Sequence, residues 1–213
     1  MSLDGKIASS ARELPTFPSV EDRRRMDLIR ATADAILIGG GTLRASDYPL
    51  RVRSPMLQQR RLARGMTQQP LNILLSASLK VPGRGRFFSA PDVPRLVVTT
   101  RLAAKHRRER LAPSAEVLAW GGRRIALSRL MKELHERGIR TLLLEGGGNT
   151  NFEFFKQGLV DEIYLTLCPV VIGGKASPTP VDGKGFSPKE FLRYLPVRFD
   201  RVGEEFFFRY RRS

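Results

Sequence analysis

Five short apolar runs constrain this chain more than any other feature: AILIGG (35–40), LNILLS (71–76), RLVVTT (95–100), AEVLAW (115–120) and RTLLLEGG (140–147). Each is continuously apolar rather than alternating, which predicts a strand buried on both faces, and most of them end in glycine, serine or threonine. Helical patterns lie between several of them. One spans about 20–34, with Ser19 as N-cap and Asp22 three residues on. Another, near 125–137, sets Leu127, Leu130, Met131 and Leu134 on one face. The stretch 101–112 is helical but strongly basic, so it belongs on the outside. Continuous strands alternating with helices predict a largely parallel sheet with helices on both faces.

The C-terminal third is different. DEIYLTLCPVVIG, LPVRFDRV and GEEFFFRYR read as successive strands with little helix between them, and Ile163, Leu165 and Leu167 share one face of the first. The expected architecture is therefore α/β, a mostly parallel core finishing in antiparallel strands. At 213 residues with 41% apolar composition it is expected to form one domain, 1–213, with an adequate core. Two stretches, 51–70 and 173–190, read as long irregular loops of the kind that often carry function.

Composition narrows the chemistry. A net charge of +16 asks for an anionic partner. The basic residues are spread over EDRRRM, QQRRLAR, KHRRER and GGRRIA, and the phenylalanines cluster at FEFF and EEFFFRY instead of alternating with them. Nucleic acid is thus not the expected partner, and the charge supports an anionic ligand without naming it. No run is long enough to span a membrane. With no charged-then-apolar leader and a single cysteine, the chain is expected to be cytoplasmic. Cys168 precedes Pro169 in an apolar strand and reads as inert core. His106 and His135 read as surface residues. With these three residues the chain has neither ligand element of a zinc-dependent base deaminase, it has no G-x-S-x-G elbow, and no metal site is expected.

Two strands end in glycine runs, ILIGGGT and LLLEGGGNT. Glycines at the start of a helix expose backbone N–H groups to a phosphate and let it approach closely. Asn149 and Thr150 would add side-chain donors, and Phe152, Phe155 and Leu159 would form the buried face of the following helix. The alternative is a strand–helix corner that needs positive φ, and spacing alone does not separate the two. EGGGN is neither G-x-G-x-x-G nor a P-loop. Two such runs in one α/β chain nevertheless suit an extended ligand such as a dinucleotide.

In order, MSLDGKIA, DLIRATADAILIGGGT, ASDYPLRVR, LLLEGGG and GLVDEIYLTLCPVVIGG resemble the reductase half of the bifunctional deaminase–reductase of riboflavin biosynthesis, and the stand-alone pyrimidine reductases related to it. The resemblance implies a three-layer fold like that of dihydrofolate reductase. It also implies NADPH-dependent reduction of a phosphorylated ribosylamino-pyrimidine to its ribitylamino form, and a homodimer joined through the late strands. On this resemblance Thr42 and Ser46 fall beside the nicotinamide nucleotide, and the segment from Gly147 to about Glu153 at its pyrophosphate. Gly40, Gly41, Gly146, Gly148, Asn149 and Thr150 from the glycine runs, and Ser76 from the end of the second apolar run, complete the cofactor candidates. Asp4, Arg30, Leu50, Arg53 and Glu145 fall on substrate positions. Glu145 would hold substrate hydroxyls or amino groups, and Lys6 or Asp47 would relay the proton. The fold further implies a cis peptide at Gly146–Gly147.

Some positions depart from the family pattern. Where the family often has Ser-x-Trp, this chain has Leu14 and Thr16, and its paired acid before proline appears as Ser46-Asp47-Tyr48. The chain also begins inside what would be the family's first strand. A reductase of another pterin- or pyrimidine-like heterocycle therefore stays open, as does a non-catalytic nucleotide-binding or interaction protein. For the 2′-phosphate of NADPH the candidates are Ser76, Ser78, Thr99, Thr100 and Arg101, each also readable as ordinary strand-end polarity.

Overall fold

A computed structural model describes residues 1–13, 17–111, 113 and 115–213. Leu14 and Thr16 lie outside the described residues. The chain forms two compact units, one of residues 24–146 and one of residues 1–23 with 147–213.

The five apolar runs all become strands: β1 (Ala35–Gly39), β2 (Leu71–Leu75), β3 (Arg95–Thr99), β4 (Glu116–Ala119) and β5 (Leu142–Gly146). They form one parallel sheet in the order β4-β3-β2-β1-β5. The register aligns Ile38, Leu74 and Val97 in one row across the sheet and Leu37, Ile73 and Leu96 in the next. Neighbouring residues along a strand point to opposite faces, and all six side chains are at most 1% exposed, so both faces are covered. Ile38, Leu74 and Val97 pack with Leu43, Leu79, Phe87, Phe88, Ala103 and Leu111 into one cluster. Burying each such side chain contributes roughly 1.5–3 kcal/mol.

Helices connect the strands: α1 (Val20–Thr32), α2 (Gly40–Ala45), α3 (Pro55–Ala63), α4 (Arg86–Ser89), α5 (Arg101–Arg107) and α6 (Leu127–Glu136). Ser19 caps α1 as expected, its hydroxyl accepting from Asp22 N at 3.0 Å. In α6, Leu127, Leu130 and Leu134 are buried while Met131 is only half-buried. The basic α5 turns most of its residues outward. One expectation fails within 51–70, which contains the nine-residue α3 rather than a continuous loop. Its start is a Ser54 cap followed by Pro55 at the first helical position, a pairing that favours helix initiation. Arg61 from this helix is 1% exposed and reaches the end of α1, donating from Nη1 to Ala31 O at 3.2 Å and Ala33 O at 2.6 Å.

In the other unit, β6 (Glu162–Leu167), β7 (Tyr194–Val202) and β8 (Glu205–Arg212) make a separate antiparallel sheet, ordered β6-β8-β7. Residues 1–3 run along the chain beyond β6: Cys168 N donates to Met1 O at 2.8 Å, and Leu3 N to Val170 O at 2.7 Å. Helix α7 (Gly148–Lys156) buries Phe152 and Phe154. The expected face of Phe152, Phe155 and Leu159 is thus corrected. Leu159 lies past the helix end, and half-buried Phe155 turns its ring edge-on to Tyr194, with centroids 5.9 Å apart.

Candidate functional site

In unit 24–146, β1 passes straight into α2. A Cβ on Gly40 would stand 2.9 Å from Ser76 Oγ, so the bare glycine lets the ends of β1 and β2 close up. Gly41 has more room, with Arg44 Nη2 nearest to its Cβ position at 3.8 Å. Thr42 Oγ1 donates to Gly146 O at 2.9 Å, tying the start of α2 to the end of β5. Ser46 N donates to Thr42 O and closes α2. The two glycine-ended strands are therefore brought together, as the sequence suggested.

Glu145 occupies an unusual place in β5. The pairing of β1 with β5 runs Leu37 to Leu144 and then Ile38 to Gly146, so the ladder skips Glu145. A bulge of this kind re-aims a side chain. Here the carboxylate, 12% exposed, meets the guanidinium of Arg30, 15% exposed, in a two-bond fork with both distances 2.7 Å. Burial alone would lower the Arg30 pKa, but the hydrogen bond and charge of Glu145 outweigh it and raise it above its ordinary value. Arg30 Nη1 also donates to Arg51 O at 3.3 Å.

Arg51 belongs to an extended segment, 50–54, whose backbone is held almost wholly by side chains. Asn72, fully buried in β2, accepts from Leu50 N at 2.7 Å and donates to Leu50 O at 2.9 Å. Gln69 does the same for Val52, at 2.9 and 3.0 Å. Asp27, 8% exposed and one turn before Arg30 on α1, accepts from Arg53 N at 2.7 Å and Ser54 N at 2.8 Å. The Arg53 side chain is left exposed. Arg30, Leu50, Arg53 and Glu145 are thus assembled around one hydrogen-bonded scaffold. The sequence reading missed Asp27, Gln69 and Asn72. An asparagine inside LNILL was the available signal, since an unpaired buried amide costs about 1–3 kcal/mol.

Asp47, expected as a proton relay, has both carboxylate oxygens engaged at the start of α4, accepting from Arg86 N at 2.8 Å and Phe87 N at 3.1 Å. Several hydroxyls considered for a 2′-phosphate are similarly occupied. Ser76 Oγ accepts from Leu79 N, Thr99 Oγ1 donates to Ser76 O, and Thr100 Oγ1 donates to Ala77 O. Arg101 is exposed at the start of α5.

The other unit holds the remaining candidates. Gly147 precedes α7 with φ 84°, and Gly146 ends β5 with φ 31°. No peptide among the described residues is cis, so the cis bond implied by the resemblance is corrected: positive φ at both glycines makes the turn. Gly148 has a different reason. A Cβ there would fall 2.3 Å from Asp182 Oδ2 and 2.5 Å from Thr179 O, so the 179–182 turn fills the space a side chain would need. Asn149 is exposed and Thr150 half-buried in the first turn of α7, while Asn151 Nδ2 donates to Pro180 O at 2.8 Å. This start of α7 fits a phosphate at Gly147 and Asn149, and less well at Gly148, where an acid already approaches.

Asp4 accepts from Ile172 N at 3.0 Å and Gly173 N at 2.7 Å, as well as from Ser2 Oγ. Its pKa falls from 3.8 to about 2, with the Ser2 hydroxyl as the largest cause and the Ile172 amide next. Lys6 is half-buried, its Nζ 3.3 Å from Ser177 O. Cys168 is 2% exposed, and burial foremost pushes its pKa up to about 11, so the thiol is protonated at neutral pH. His106 and His135 are exposed, and no cluster of metal-ligating side chains occurs among the described residues.

A parallel five-stranded sheet whose β1 and β5 end in glycines, joined through Thr42, defines an α/β protein with two glycine-ended corners side by side. Its fold matches a pyrimidine reductase-like protein from Corynebacterium diphtheriae, with TM-score 0.87 at 23% identity over 100% of this chain and 89% of that one. A model of the RibD C-terminal domain matches residues 1–207, and the chain belongs to that family. Over 205 residues it is 36% identical to a 2,5-diamino-6-ribosylamino-4(3H)-pyrimidinone 5′-phosphate reductase of Archaeoglobus fulgidus, covering 96% of this chain and 91% of that protein. Another so named, from Aquifex aeolicus, is 33% identical over 203 residues, covering 93% and 86%. Against RibD of Bacillus amyloliquefaciens, 27% identical, the chain covers 50% of the longer protein.

Proposed function

We infer that this chain is an NADPH-dependent reductase of a phosphorylated ribosylamino-pyrimidine, converting its ribosyl side chain to ribityl in riboflavin biosynthesis. The observation that carries this reading is near-full-length similarity to reductases named for such a 5′-phosphorylated substrate. The chemistry of unit 24–146 agrees with it: a cation at Arg53 for the phosphate, and a polar pair at Arg30 and Glu145 for the sugar or ring.

The reduction adds a hydride to C1′ of the ring-opened imine and a proton to its nitrogen. NADPH, when bound, supplies the hydride. Gly41, Thr42 and Gly146 would hold its nicotinamide end, and Gly147, Asn149 and Thr150 its pyrophosphate. Arg30 fixes the direction of the Glu145 carboxylate, whose outer lone pairs are directed to substrate hydroxyl or amino groups. With both oxygens of Asp47 committed to backbone amides, Lys6 is the better candidate of the two for proton delivery.

The reading places the enzyme in the cytoplasm; no described helix is long and apolar enough to cross a membrane. It also makes the enzyme a homodimer through the antiparallel sheet. There the register sets Phe199 opposite Phe208, and Leu165 and Ile163 opposite Phe208 and Tyr210, on one broad apolar face.

Titration with NADPH and NADH, followed by fluorescence and thermal melting, tests the reading. NADPH at a hundredfold excess over its dissociation constant should stabilise the fold by about 2.7 kcal/mol. NADH should do so only at much higher concentration. Absence of binding by either would reject the enzymatic reading. Tight NADPH binding without oxidation by any heterocycle would favour a non-catalytic descendant.

A further inference from the structure

Segment 50–54 is neither helix nor strand, yet five side chains reach into its backbone from α1, from α3, from β2 and from the approach to β2. Among them is Gln58 of α3, which donates to Val52 O at 2.9 Å. Asn72 takes both polar groups of Leu50, Gln69 both of Val52, and Asp27 the amides of Arg53 and Ser54, while Arg30 takes the carbonyl of Arg51. An ordinary surface loop satisfies these groups with water. This one is instead fixed from beneath by Asp27, Gln69 and Asn72, each at most 8% exposed. Side chains alternate along an extended chain. Val52 therefore points inward, fully buried against Ala31 and Leu57, while Arg53 is exposed. At Arg53 itself, its own amide and the next are both held by one carboxylate, at 2.7 and 2.8 Å.

We propose that Asp27, Gln69 and Asn72 are positioning residues that lock the backbone beneath Arg53, so that its guanidinium stands ready for the anionic group of the substrate. The proposal rests on the reading of Arg53 as a substrate contact. Ordering a loop backbone on binding costs conformational entropy, and anchoring it beforehand removes that cost, leaving only the arginine's own rotamers to fix when substrate arrives. Asp27 and Arg30 lie one turn apart on α1, so one helix face holds both the segment under Arg53 and the Glu145 carboxylate.

Asp27→Asn in the full-length protein tests this, because the amide keeps one acceptor and sets an NH2 group against the second backbone N–H. Hydrogen exchange at Arg53 and Ser54 should quicken. KM for the phosphorylated ribosylamino-pyrimidine should rise about tenfold, with kcat changed less than about twofold. In an Arg53→Ala background the same substitution should change KM by less than about twofold, because its effect passes through Arg53. An equal KM factor in both backgrounds, or no KM change, would overturn the proposal while leaving Arg53 as a substrate contact. If Arg53→Ala alone leaves KM unaltered, the reading of Arg53 fails, and the proposal fails with it. Should Asp27→Asn not fold, the double variant Gln58→Met/Gln69→Met, which removes the side-chain bonds to Val52 at similar length, carries the same expectations.

Discussion

Glu145 shows how one residue reconciles burial with charge. A carboxylate at the end of LLLEGGG is costly in a sheet unless it is paired. The bulge at this position and the fork from Arg30 supply the pairing and fix the direction of the carboxylate. Glu145→Gln should therefore act twice. Losing one partner of a mostly buried pair should lower stability by about 1–3 kcal/mol, less than for a fully buried pair. Losing the charged acceptor should lower kcat/KM at least about tenfold. Thermal melts and steady-state kinetics on the same preparation separate the effects. Turnover equal to that of the parent protein would remove Glu145 from the site. The acid and the arginine were both legible in the sequence, but their pairing was not, because they are 115 residues apart.

At the scale of elements, the glycines after β1 and β5 divide their work. Gly147 turns the chain at positive φ, Gly148 admits the 179–182 turn, Gly40 admits Ser76, and Gly41 faces open space. A residue-by-residue contrast follows. Gly148→Ala should cost about 1–3 kcal/mol through overpacking against Thr179 O and Asp182. Gly41→Ala should leave the fold as stable or better, by up to about 1 kcal/mol, since glycine inside a helix is disfavoured. If the open face of Gly41 meets the cofactor, NADPH affinity should nevertheless fall several-fold. Unaltered NADPH binding by a well-folded Gly41→Ala protein would take Gly41 out of the cofactor contact.

The whole molecule carries an apolar sheet face that a free monomer would expose. Phe199 is 57% exposed, and its ring lies 5.2 Å from Phe208 and 5.8 Å from Phe206, centroid to centroid. Leu165, Ile163 and Tyr210 continue the same face by register. Patches of this kind mark protein contacts. Phe199→Glu should convert the proposed dimer to monomer in analytical ultracentrifugation with little loss of secondary structure. A parent protein that sediments as a monomer would reject the homodimer. The charge of +16 belongs to this scale too. It favours anionic ligands at long range and should make phosphorylated-substrate association weaken as salt rises.

What the sequence determined by itself was the periodic part. Five short continuous apolar runs read as strands, so the parallel sheet, its connecting helices and the late antiparallel strands were legible in the sequence. Only the three central strands are buried along most of their length, however, and β4 and β5 lie half-buried at the edges. So could the glycine-ended corners, because the absence of a side chain is visible in one dimension. Tertiary structure decided what depends on distant residues meeting. Examples are the skipped register that aims Glu145 at Arg30, the commitment of Asp47 to α4, and the buried amides that hold segment 50–54. It also decided that trans glycines with positive φ suffice at the end of β5. Periodicity is a local consequence of backbone geometry, whereas the pairing of a buried polar group is chosen by whatever the fold brings within about 3 Å of it.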